Sequence, residues 1–196
     1  MASDKALVSL AGKPLIEHSL AILRQAGLSA AIAGARSRLV NFAPVIEDRA
    51  HGRGPLAGVC AALASTSASW AVILSVDLPL VPPSLVAYML HHARIAEPVA
   101  VAASVSGYPQ TFPAIVARAA LPVLEQELEA GRSGCFAAFQ SACDRLGRPM
   151  AVLPVEMLAQ SGHASDARGL PPALWFLNVN SQADLTRAQR VLKPLA

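Results

Sequence analysis

Residues 70–76, Trp-Ala-Val-Ile-Leu-Ser-Val, form a continuous run that is apolar except at Ser75. A strand with one solvated face alternates apolar and polar residues. An unbroken run of this length instead predicts a strand buried on both faces, as in parallel sheets covered by helices on either side.

The flanking sequence supplies the covering helices. Pro14 opens a helix carrying Leu15, Leu20, Ile22 and Leu23, with Gly27 as its stop, because proline's fixed φ suits a first helical turn. Further helices are predicted from Gly54-Pro55 to about Ala64, from Pro82-Pro83 through Arg94, over 121–130 closed by Gly131, and over 135–146. Strands are predicted over 30–33, 45–46, 99–103 and 151–153, with a last one over 176–180. Ser181 caps a final helix bearing Leu185, Ala188 and Val191. The Ser, Gly and Pro-rich stretch 154–173 reads as a loop. This alternation predicts an α/β fold: a single three-layer αβα, Rossmann-like domain over 1–196 with a mostly parallel sheet.

Composition narrows the function classes. With 54% hydrophobic and only 15% charged residues the chain is globular rather than disordered. Its net charge of +3 is scattered without a basic run, which argues against nucleic acid. No apolar run approaches the ~20 residues of a membrane span, and no export signal starts the sequence, so a cytoplasmic location is expected. Cys60, Cys135 and Cys143 form no C-x-x-C pair, and the five histidines have no metal-ligand spacing.

In a doubly wound sheet, ligands bind at the carboxyl ends of the strands. There the sequence places Asp77, directly after the run 70–76, and Asp48, after Val45-Ile46-Glu47. Either carboxylate has the chemistry to hold a divalent cation or a polar ligand group; equally, Asp77 is suited to cap the turn before Pro79 and Asp48 to sit on a solvated surface. Gly54-Pro55-Leu56-Ala57-Gly58 offers glycines and backbone donors at a helix N-terminus, or an ordinary loop-to-helix turn. Asn178 and Asn180 share one face of the last predicted strand, and turn formation around Ser181 accounts for them as well. Lys5 is a candidate phosphate ligand or a solvated terminal charge. Ala11-Gly12-Lys13-Pro14 lacks the remaining residues of a P-loop.

Taken together and in order, Asp4-Lys5-Ala6-Leu7, Gly12-Lys13-Pro14-Leu15, Val45 to Asp48, Gly54 to Gly58, Val76 to Pro83, Leu128 to Ser133 and Asn178-Val179-Asn180-Ser181 resemble the MobA-type molybdenum cofactor guanylyltransferases. That resemblance implies transfer of GMP from GTP to molybdopterin with release of pyrophosphate and with Mg2+ as cofactor. It implies Lys5 and Asp77 as catalytic residues and Asp77 as the metal ligand. Lys5, Asp48, Pro55, Leu56, Gly58 and Asp77 would contact nucleotide, and Asn178 and Asn180 the second substrate. GTP and molybdopterin would be the substrates, with molybdoenzymes or cofactor chaperones as partners of a monomer or weak oligomer. Cytidylyl transfer and a catalytically silent nucleotide-binding protein are the alternatives.

Two departures from the family pattern stand out. Ala33-Gly34-Ala35 occupies the place of an asparagine that contacts nucleotide. The family's first strand and glycine-rich loop are expected ahead of Asp4-Lys5, where this sequence has only Met1, Ala2 and Ser3. The chain as it stands is therefore expected to be a poor or inactive transferase.

Overall fold

The computed structural model describes residues 5–34, 37–47 and 53–192. Three layers are present. A four-stranded sheet has the order β5 (Trp70–Ile73), β7 (Tyr108–Ala117), β6 (Ala100–Val105), β8 (Met150–Pro154). Beside it stands a parallel pair, β3 (Ile32–Ala33) and β4 (Val45–Ile46). A hairpin of β1 (Ser9–Leu10) and β2 (Lys13–Pro14) turns at Ala11-Gly12, which makes that Gly-Lys segment a β-turn and not a phosphate loop.

Alternation along the strands divides the core into two halves. Ala100, Ala114 and Val116 face one side, where they pack with α2 (Pro55–Ser65), α4 (Leu121–Glu129) and α5 (Cys135–Leu146). Val101, Ala103 and Ile115 face the other, where α3 (Pro83–Ala96), α6 (Val155–Gln160) and α7 (Pro172–Trp175) cover them, together with Ile22 of α1 (Leu15–Gln25). Several helices start as the sequence dictates: Pro55, Pro83 and Pro172 occupy first-turn positions, where the missing N–H costs nothing.

The expected α/β architecture is observed, and its sheet is mixed. β7 runs antiparallel to both of its neighbours, whereas β6 and β8 are parallel. The strand reading above does not include β7. Its cue is Ser106-Gly107, two residues with φ of +50° and +81° that form a hairpin turn matched to strand twist.

Two other expectations are corrected. The stretch 154–173 is not all loop, since α6 and the start of α7 lie within it, each burying apolar residues such as Val155, Leu158 and Trp175. Residues 176–180 form no strand: Phe176 closes the turn after α7, and the Val179 N–H donates to the Asp77 carbonyl, beyond the end of β5, at 2.9 Å. The three cysteines are buried and form no disulfide.

β5 departs from its neighbours. All of its residues are only half-buried, whereas Ala100 to Ser104 of β6 are buried throughout. Among the described residues, the run that promised burial on both sides has a sheet neighbour on one side only, because nothing there pairs β5 with β3.

Phe139, on the inner face of α5, is 1% exposed and packs within the cluster beneath α2 and α4. Phe139→Ala is expected to lower unfolding free energy by about 3–5 kcal/mol, measured from the urea midpoint at unchanged slope.

Candidate active site

Asp77 lies in the turn beyond the carboxyl end of β5, which stops at Ile73 rather than running on to Val76, and two distant segments converge on it. Lys5 Nζ donates to Asp77 Oδ2 at 2.8 Å and also to Asn180 Oδ1, across sequence separations of 72 and 175 residues. Ser75 Oγ donates to the other carboxylate oxygen, Oδ1. The side chains of Lys5 and Asp77 keep 31% and 18% of their surface, enough for a ligand to reach both.

Each partner is held by local structure. Lys5 opens a 3-10 turn, Lys5–Leu7, whose Ala6 is buried against α1 in a cluster with Ile16 and Leu20. Asn180 precedes α8 (Gln182–Leu192), whose N-terminus closes a reciprocal cap. Asp184 accepts from the Ser181 hydroxyl at 2.7 Å, the Ser181 N–H at 2.8 Å and the Asn180 N–H at 3.1 Å, while the Asp184 N–H donates back to Ser181 Oγ at 3.2 Å. Those donors, the Ser181 hydroxyl first, hold the Asp184 carboxyl below the usual carboxylate range. Ser181 thus caps as the sequence predicts, and Asn180 still presents its side chain to Lys5. Val179 is buried between exposed Asn178 and Asn180, which puts both amides on the solvent side of this segment.

Gly54, with φ +76° and ψ −171°, is in a region that only glycine adopts without strain, and it turns the chain into α2. Pro55 and Gly58 lie with Lys5 and Ser75 along one cavity. Leu56 is fully buried in the core, so its side chain is turned away from that cavity, and of this residue only the backbone is available to a ligand. Asp48 lies outside the described residues. Among the described residues no three His, Cys, Asp or Glu side chains gather as a metal cluster. Asp77, with the Asn178 and Asn180 amides on the neighbouring segment, is the oxygen-rich place where a hard divalent cation fits. Both oxygens of Asp77 are already hydrogen-bonded, so a cation must displace or share the Lys5 contact.

Sequence reasoning did not single out Ser75, although it is the one polar residue within the run 70–76. Nor did it assign a role to the loop between α4 and α5. A Cβ on Gly54 would lie 3.5 Å from Ser133 Cβ, so that loop packs against the α2 turn. It is anchored by Glu127, a buried carboxylate that accepts from Arg132 Nη2 at 3.0 Å and Ser141 Oγ at 2.9 Å, and from Arg132 Nε.

With this geometry in view, residues 1–157 match the MobA-like NTP transferase domain. The chain belongs to that family. Among MobA-like relatives, the molybdenum cofactor guanylyltransferase of Acidiphilium cryptum is 33% identical over 193 residues, covering 95% of this chain and 85% of that protein. The solved structure of molybdopterin-guanine dinucleotide biosynthesis protein A from Archaeoglobus fulgidus superposes with a TM-score of 0.75 over 97% of this chain and 91% of that one, at 23% identity. A Mycobacterium tuberculosis protein, Rv0371c, solved in complex with manganese, has a TM-score of 0.59 and 17% identity, covering 96% of this chain and 93% of that one. At such identities the likeness speaks to the MobA-like fold.

The Glu127 anchor gives a pH test. Arg132 and Ser141 lower its carboxyl from 4.5 to about 2, so its stabilisation is complete above the ordinary value and is lost as pH falls through about 2. Glu127→Gln is expected to be less stable than wild type at pH 7, with the difference shrinking between pH 4.5 and 2 in thermal melts.

Proposed function

We propose that this chain transfers GMP from GTP to the terminal phosphate of molybdopterin, forming molybdopterin guanine dinucleotide and releasing pyrophosphate. The observation that carries this reading is the meeting of Lys5, Asp77 and Asn180 at the sheet rim, from three parts of the chain, through direct hydrogen bonds. The family and the guanylyltransferase relatives support it.

In this reaction an oxygen of the acceptor phosphate attacks the α-phosphorus of GTP in line. The bond to the bridging oxygen breaks, and that oxygen leaves with pyrophosphate. No covalent enzyme intermediate is needed, so the protein's work is alignment and neutralisation of charge. The Lys5 ammonium neutralises the phosphates. Asp77 is the ligand for Mg2+, which when bound spreads the charge developing on the phosphate oxygens. The backbone of the Gly54 to Gly58 turn lies on the guanine side, and Asp48 belongs with the nucleotide. Asn178 and Asn180 face the acceptor.

Asp77→Ala tests the metal assignment. Its main-chain carbonyl, which holds Val179, survives the substitution. Magnesium-dependent GTP binding is expected to be lost in titration calorimetry while circular dichroism stays native; unchanged binding would remove Asp77 from the metal site.

Base choice is a second test. A site whose backbone donors and acceptors match guanine leaves them unpaired when cytosine enters, costing about 1–3 kcal/mol for each unpaired group. GTP is therefore expected to outcompete CTP in a competition titration, and equal affinities would favour cytidylyl transfer.

A further inference from the structure

At the end of the sheet opposite Asp77, a hollow of about 550 Å3 opens where four segments meet: the approach to β5, the turn after β7, the end of α3 and the approach to β8. Main-chain hydrogen bonds lock these segments together. The Arg118 N–H donates to the Ser69 carbonyl at 2.8 Å, the Ala117 N–H to the Val99 carbonyl at 2.8 Å and the Val99 N–H to the Pro149 carbonyl at 3.1 Å. The hollow is therefore built into the frame of the sheet, with the full length of β5 between it and the Asp77 rim.

Its charge is one-sided. Two guanidiniums line it, those of Arg118 and Arg148, against one carboxylate, Glu97. Among the described residues neither arginine is in an ion pair, with Glu97 or with any other carboxylate. Elsewhere in the fold Arg132 takes Glu127 and Arg168 takes Asp166. Arg148 donates through Nη2 to the carbonyl of Glu97, the left-handed residue that ends α3, and this bond fixes its guanidinium at the wall while most of its donors stay unspent. The Arg118 side chain is exposed and spends none. A cap for α3 accounts for Arg148 alone and leaves Arg118 unexplained. Two cations at one hollow repel each other, and an anion between them removes that cost.

The lining also says what kind of anion fits. Guanidiniums match phosphate oxygens through paired N–H donors, and the hydroxyls of Ser67 and Ser69 stand at the same hollow to complete such a shell. The space exceeds a phosphate group alone and falls in the size range of small-molecule sites. Trp70, Leu121 and Pro122 give it an apolar wall. Trp70 Nε1 is turned to the Pro98 carbonyl at 3.5 Å, so the indole offers the hollow ring carbon and not its donor. The combination suits an anionic head among the arginines and serines with an apolar or aromatic body against the indole.

We propose that this hollow is a binding site for a small organic phosphate, separate from the Asp77 rim, with Arg118 and Arg148 as its phosphate ligands. Bound there, the ligand ties the segment before β5 to the turn after β7 and to the approach to β8. No residue of the rim takes part, so the assignment stands whichever nucleotide or acceptor the rim takes.

The test titrates phenyl phosphate into the 196-residue chain at physiological salt, where weak attraction between surface charges is screened. It is read from the indole N–H signals in proton–nitrogen correlation spectra. The chain has two tryptophans. Trp175 is buried, with Nε1 bonded to the Leu170 carbonyl, and serves as the internal reference. Saturable movement of the Trp70 signal is expected, with Trp175 still. Arg118→Gln, which removes a side chain that holds nothing in the fold, is expected to weaken binding about tenfold or more, and Arg148→Gln to do the same. Phenol, which has the ring without the phosphate, is expected to give no saturation. Asp77→Ala, which disables the rim, is expected to keep the Trp70 response in full. No saturation up to about 10 mM, unchanged affinity in Arg118→Gln, or saturation by phenol would overturn the site. Loss of the response in Asp77→Ala would also overturn it, by giving the phosphate to the rim.

Discussion

Asp77 is the residue on which both the fold's closure and the site depend, because its main chain and its side chain bind different parts of the polypeptide. Its carbonyl accepts the Val179 N–H and so ties the carboxyl-terminal segment to the end of β5. Its carboxylate takes Lys5 on one oxygen and Ser75 on the other. The first contact adds to the packing of Val179 and Leu185 with Leu10, Leu15 and Val76, which also holds α8 here; without the second the ammonium at Lys5 has only Asn180 to hold it. A half-buried ion pair of this kind adds little net stability. What it supplies is position, with one cation, one anion and two amides at a rim open to solvent.

The rim is assembled from both sides of a divided sheet. Asp77 belongs to the four-stranded part, through β5, while the Gly54 turn follows β4 of the two-stranded part. Helix α2 connects them, running back from the rim at Gly54 and delivering the chain to the start of β5. The parts are also joined by packing: Leu56 and Leu63 of α2 lie in the same cluster as Ala114 and Val116 of β7. Hydrogen bonding across the division is absent among the described strands, so the relative placement of the two halves of the site rests on helix packing.

The far side of the α2 turn is braced by electrostatics. Glu127 is nearly inaccessible to water, yet its oxygens are met by a guanidinium and a hydroxyl, which is the condition under which a buried carboxylate is tolerated. The loop that carries Arg132 lies against Gly54 through Ser133. Since Gly54 also needs its positive φ, a side chain there would meet both backbone strain and this neighbour. Rigidity at the turn costs the site nothing on ligand binding, which suits a reaction whose catalysis is alignment.

Sequence by itself determined the helix starts at Pro55 and Pro83, the helix over 135–146 and the cap at Ser181, because first-turn proline, a 3.6-residue apolar period and a capping hydroxyl act within a few residues. It placed Asp77 after the strand that the apolar run forms, but the strand stops at Ile73 and Asp77 lies in the turn beyond it. It did not reveal β7, which closes a hairpin with β6 but also pairs with β5 from a distant part of the sequence, or the helices after Pro154, where Ser, Gly and Pro mask short amphipathic turns. Nor could it show that Lys5 and Asn180 meet at Asp77, or that Leu56 points inward. Those facts follow from packing around the whole sheet, and only the tertiary structure decided them. The same holds for β5: its composition promised burial on both sides, but burial is a property of neighbours, and on one side the neighbour is a cavity.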